Sequence, residues 1–175
     1  MDKNLLKKYA RLIAEVGATV QKGEEVWINA DLDQPEFVAL VAEECYKLGA
    51  KYVDVKWNFP QIGKLTYKYA SVSTLSNFRP YAKARYKYMV KNLPTMIHII
   101  SEDPDGMAGI DQAKMLQVQR TIGPIMMKYR MAMDNKYQWT IAGIPGVAWA
   151  KKIFPNLSEE EAMANLWDAI LKVTR

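Results

Sequence analysis

The sequence predicts an α/β protein built on an open, mostly parallel sheet of about four or more strands, with helices on both faces. Three observations carry this reading. Short apolar runs alternate along the chain with amphipathic stretches, the pattern of a parallel sheet linked by helices. Gly, Pro or Asp punctuates most of the boundaries between them. The first run, helix and run fit inside residues 26–57, which is enough chain for one right-handed β-α-β crossover.

Leu5, Leu6, Tyr9, Leu12, Ile13 and Val16 recur at helical spacing, so Asn4 to Val16 reads as an amphipathic helix stopped at Gly17. Val26 to Ala30 is a short buried strand after the Lys22-Gly23-Glu24 turn. Asp31 or Asp33 is placed to cap the next helix, with Pro35 in its first turn and Gly49 at its end. Tyr52 to Trp57 alternates as a second strand. Residues 61–92 read as mostly helical, broken near Ser71–Asn77, with Pro80 opening a second helix. Met96 to Ser101 is an apolar strand, followed by a loop at Glu102-Asp103-Pro104-Asp105-Gly106. Ile110 to Met133 is helical, with a break expected at Gly123-Pro124. Gln138 to Ala142 is a fourth strand, and Gly143-Ile144-Pro145-Gly146 turns into a short helix through Trp149. Ser158 with Glu161 matches a capping box for a last helix that runs to Thr174-Arg175.

The chain has 175 residues, half of them apolar and a quarter charged, which is ordinary composition for one globular domain. One cysteine, Cys45, excludes an internal disulfide framework and a Cys-based zinc site. A reducing, cytoplasmic setting is expected. The single histidine, His98, excludes every motif that needs two. No apolar run is long enough for a membrane span, and Met1-Asp2-Lys3-Asn4 opens an amphipathic stretch rather than a signal peptide.

Charge is uneven. Residues 55–101 hold eight Lys or Arg and no Asp or Glu, so this stretch is +8 of a net +5 and the rest of the chain is −3. Trp57, Phe59, Tyr67, Tyr69, Phe78, Tyr81, Tyr86 and Tyr88 are interleaved with the bases. A solvated face is the plainest reading. A surface that docks an acidic partner comes next, and a single-stranded nucleic-acid track is least favoured.

The residues assemble no convincing catalytic, cofactor or metal site. After the first strand comes Asp31-Leu32-Asp33-Gln34-Pro35 in place of a glycine-rich phosphate loop, and two carboxylates there would repel phosphate. Asp103 and Asp105 read as a turn, since Gly106 comes too early for a calcium loop. His98, mid-strand, reads as satisfied by a neighbour rather than as a base. Trp139, Pro145 and Trp149 stand out instead as a candidate cleft or interface, because clefts form at strand carboxyl ends in open parallel sheets.

The carboxyl-terminal third carries a resemblance. Trp139, Ile144-Pro145-Gly146-Val147-Ala148-Trp149-Ala150, Phe154-Pro155, Ser158-Glu159-Glu160-Glu161-Ala162 and Leu166-Trp167-Asp168-Ala169-Ile170 resemble the thermophilic-aminopeptidase family of metallopeptidases. The resemblance implies that residues 1–175 are a single α/β amino-terminal domain on one side of a substrate cleft. It also implies a catalytic carboxyl-terminal domain beyond Arg175 that holds two divalent metal ions through Glu, His, Tyr and Asp ligands. None of those ligands maps onto this sequence. The implied chemistry of the intact protein is metal-assisted removal of amino-terminal residues from peptides, with homo-oligomeric assembly expected. The alternative is a stand-alone binding module that uses residues 55–101.

Overall fold

The computed structural model describes residues 3–101 and 103–174. Glu102, the chain termini at Met1-Asp2, and Arg175 at the end of the last expected helix lie outside the described residues. The chain divides into two compact units. One comprises residues 1–58, 95–106 and 138–175; the other comprises residues 59–94 and 107–137.

The first unit is a four-stranded sheet with its helices. Its strands are β1 (Glu25–Asp31), β2 (Tyr52–Asn58), β3 (Thr95–Ile100) and β4 (Trp139–Gly143). They lie in the order β2-β1-β3-β4, and every pair is parallel. Val26, Ile28, Ala30, Ile97, Ile99 and Ala142 point to one sheet face and are buried. Helices α1 (Lys3–Arg11), α2 (Pro35–Lys47) and α8 (Glu159–Val173) contribute to the core on them. At its heart Phe37, Tyr9 and Trp167 form a triangle of rings, with Phe37 centroid distances of 5.6 Å and 5.3 Å and the Tyr9–Trp167 pair edge-on at 6.4 Å. The opposite face carries Trp27 and Met96, both buried, with Asn29 and His98 half-buried. Burial holds the His98 imidazole below its usual pKa, which favours the neutral ring.

The opening helix departs from its expected form after Arg11, where Leu12–Gly17 winds as a π-helix. Gly17 sits against the Thr140 side chain of β4, close enough that a Cβ would stand 2.8 Å from its Oγ1. The last helix starts as expected. Ser158 Oγ accepts from the Glu161 amide and the Glu161 carboxylate accepts from the Ser158 amide. That reciprocal bonding also holds the Glu161 carboxyl below its usual pKa.

The second unit is helical: α3 (Pro60–Tyr69), α4 (Val72–Leu75), α5 (Pro80–Asn92) and α6 (Gln112–Met133). The break expected near Ser71–Asn77 contains the single turn α4, capped by Ser71. The break expected at Gly123-Pro124 is corrected: α6 runs through it for 22 residues with Pro124 inside. Gly123 has no Cβ to crowd the proline ring, and good helix formers such as Gln, Lys, Met, Arg and Ala flank the pair on both sides. Phe78, Tyr86 and Tyr129 pack together with centroids 5.3–6.2 Å apart. By composition this unit holds 12 Lys or Arg against 2 Asp, a net +10, and the sheet unit holds 12 against 17, a net −5. Among the described residues, no helix is long and apolar enough to cross a membrane.

Cys45 is fully buried in α2, and burial pushes its thiol from the ordinary value near 9 up to about 12. The unfolded chain would release this proton first, so the group's contribution to stability is complete below pH 9 and is lost as pH rises toward 12. A thiol reagent at pH 8 is expected to label the native chain only as fast as it unfolds. Rapid labelling of folded protein, at the rate of a free thiol, would contradict the placement.

Candidate functional site

In an open parallel sheet the ligand crevice lies outside the strand carboxyl ends, where the strand order reverses. Here that point is between β1 and β3. The residues after β1 are Leu32, Asp33 and Gln34; those after β3 are Ser101 and the Asp103–Gly106 turn.

Asp33 does not cap α2, which corrects one expectation. The N-cap position belongs to Gln34, which makes no side-chain cap. Asp33 Oδ1 instead accepts from the buried Ser101 hydroxyl at 2.6 Å, tying the end of β1 to the end of β3. Asp31, the other capping candidate, is the last residue of β1, paired in register with Asn58. Gln34 Nε2 donates to the Pro145 carbonyl at 2.8 Å, and the Ile144 amide donates to the Ile100 carbonyl at 2.9 Å. These bonds draw Ile144-Pro145-Gly146 across the crevice, and all three residues are buried. Gly146 lies so close that a Cβ would stand 2.2 Å from the Ser101 carbonyl oxygen and 2.8 Å from Asp33 Oδ2. The chain itself therefore fills the place where a doubly wound sheet holds a nucleotide. Asp103 and Asp105 form the expected turn, with the Asp105 amide donating to Asp103 Oδ1 at 2.9 Å. Lys152 of α7 (Val147–Ile153) pairs with Asp105 at 2.7 Å.

The three apolar candidates are placed differently. Pro145 is fully buried in the filled crevice. Trp149 is half-buried and packs against the small cluster of Ala150, Ala162 and Leu166, with its ring edge 3.7 Å from the Cβ position of Gly143. Trp139 opens β4 at its amino end, in register with Met96, so it stands at the far end of the strand from the other two. It is 58% exposed, and Ile141 beside it on the same face is 55% exposed.

Among the described residues, no three His, Cys, Asp or Glu side chains come together in a way that would hold a metal ion. Cys45 is sealed in the core as a neutral thiol and His98 is on the sheet face away from it. This donor set does not fit a two-metal centre.

A well-defined cavity lies in the helical unit. Residues of α3 and the start of α6 line a cavity of about 750 Å³ that includes Lys64, Lys68 and Lys114. Lys114 lies beyond the acid-free stretch 55–101, so that stretch alone does not reveal the grouping. Its signal in the sequence is the scarcity of carboxylates continuing through 107–137.

Comparison with known proteins agrees with this architecture. Aminopeptidase AmpS of Bacillus subtilis is 36% identical over 171 residues, spanning 97% of this chain and 42% of that protein. Aminopeptidase PepS of Streptococcus thermophilus is 34% identical, spanning 99% of this chain and 42% of that protein. A solved structure, wild-type AmpT from Thermus thermophilus, superposes with a TM-score of 0.86 at 28% identity, over 97% of this chain and 43% of that one. The chain thus spans under half the length of the relatives it matches. The family described as thermophilic metalloprotease (M29) matches residues 2–175, and the chain belongs to that family.

Proposed function

We propose that this chain is the amino-terminal, non-catalytic part of a metal-dependent aminopeptidase that removes amino-terminal residues from peptides. The observation that carries this reading is the match of nearly the whole chain to proteins named aminopeptidases, of which it spans about 42%. In this reading two divalent metals and the hydrolytic groups belong to a carboxyl-terminal domain. Residues 1–175, taken together as one α/β domain, form part of the substrate cleft and of the interface with that domain. The intact protein is a cytoplasmic homo-oligomer. The exposed pair Trp139 and Ile141 on edge strand β4 supplies the interface, because covering them removes apolar surface from water at about 25 cal/mol per Å².

The test compares the 175-residue chain with the product of the reading frame extended past Arg175. The short chain is expected to hydrolyse no aminoacyl-nitroanilide with added cobalt or zinc, and the extended protein to do so until a chelator is added. Trp139→Ser is expected to shift the stability of the short chain by no more than about 0.5 kcal/mol and that of the extended protein by more. Metal-dependent turnover by the short chain alone would overturn the assignment. A stop codon directly after Arg175 would favour the binding-module reading through residues 55–101.

A further inference from the structure

We propose that the helical unit contains a binding site for an organic anion, one bearing a carboxylate or a phosphate, in the cavity between α3 and the start of α6. Lys64 and Lys68 are four residues apart on α3 and therefore share one face of that helix. Lys114, in the first turn of α6, lines the same cavity. Its ammonium donates to the Tyr67 carbonyl of α3, which holds the charge at the cavity wall. The Lys68 ammonium lies 5.1 Å from the centroid of the Tyr69 ring. Among the described residues Asp111 is the only carboxylate in the lining, and it is engaged in capping α6, its Oδ1 accepting from the Lys114 amide at 3.0 Å. Three cations thus face one committed anion. Among the described residues no ion pair involves Lys64, Lys68 or Lys114.

The volume, about 750 Å³, falls in the range of small-ligand sites. Leu65, Ala108 and Ile110 give the cavity an apolar wall, which selects a ligand with a carbon body as well as an anionic group. The whole unit carries +10, so its field concentrates anions at this opening. Lysine ammonium groups act as point charges and accept carboxylate and phosphate alike.

The test is isothermal titration of the 175-residue chain at low ionic strength with two probes, an acetylated Leu-Glu-Glu peptide and phenyl phosphate. At least one is expected to bind saturably at one site, and which of them binds identifies the source of the anion. The double variant K64Q/K68Q is expected to weaken that binding about tenfold. The double variant K83Q/K87Q removes two exposed charges of α5 that do not line the cavity, and is expected to change it less than about twofold. Thermal melts of both variants check that each remains folded. Equal weakening by the two variants would reduce the effect to diffuse charge and overturn the site. Absence of saturable binding by both probes would overturn it as well.

Discussion

Gly146→Ala is expected to cost about 3 kcal/mol of stability, lowering the melting temperature by roughly 6–12 °C. The cause is purely steric. Gly146 has φ −101° and ψ 152°, a conformation that any residue adopts, so no backbone penalty attaches to the change. The added methyl would meet the Ser101 carbonyl oxygen at 2.2 Å, and that oxygen belongs to the backbone at the end of β3. Relief would require Ile144-Pro145-Gly146 to withdraw from the crevice, and with it the bonds from Gln34 to Pro145 and from Ile144 to Ile100 would open. The control is Gly63→Ala in α3, where a Cβ would meet nothing within 4 Å. That change is expected to stabilise by about 0.5–1 kcal/mol, because alanine loses less backbone entropy in a helix. Thermal or urea unfolding of both variants decides the matter. A Gly146→Ala protein as stable as its parent would show that the 144–146 segment is not packed as described.

Phe37→Ala is expected to cost about 3–5 kcal/mol. Phe37 is 2% exposed and is one corner of a ring triangle with Tyr9 of α1 and Trp167 of α8, which meet each other edge-on at 6.4 Å. Its removal opens a cavity beside the Tyr9 and Trp167 rings, where α1, α2 and α8 meet. Tyr9 is also fixed at its far end, where its hydroxyl donates to the Gly143 carbonyl at 2.9 Å, so the ring cannot swing freely into the space. Phe37→Leu keeps most of the volume and is expected to cost about 1.5 kcal/mol or less. Similar melting temperatures for the two variants would contradict a close-packed aromatic centre.

What the sequence made legible was local. The capping box at Ser158 and Glu161 spans four residues, and both partners are visible at once. Strands β1 and β2 with α2 between them, and the parallel sheet they imply, follow from periodicity and turn residues. Features that depend on distant residues were not legible. Asp33 abandons helix capping because Ser101, 68 positions away, presents a buried hydroxyl to it. The π-helical Leu12–Gly17 segment ends where Gly17 meets Thr140. Trp139 looks like a neighbour of Pro145 and Trp149 in sequence, yet β4 carries it to the opposite end of the sheet. Lys114 joins Lys64 and Lys68 only once the chain has passed through a strand between them. Pro124 defied a sound local rule because a 22-residue helix tolerates one lost amide.

The division of the chain into two units has a kinetic consequence. Strands β1 and β2 are joined inside the sheet unit, and Glu25 reaches its partner Tyr52 across 27 positions. Both later crossovers, from β2 to β3 and from β3 to β4, leave that unit and pass through the helical one. Val26 meets Thr95 only across 69 positions, and closing that longer loop costs about 0.8 kcal/mol more in chain entropy than closing the shorter one. The parallel β1-α2-β2 unit is therefore the cheap nucleus, and β3 and β4, reached only through the helical segments, join it later. Refolding of this protein should be slow for its size, with the edge of β1 that awaits β3 open to a wrong partner in the interval.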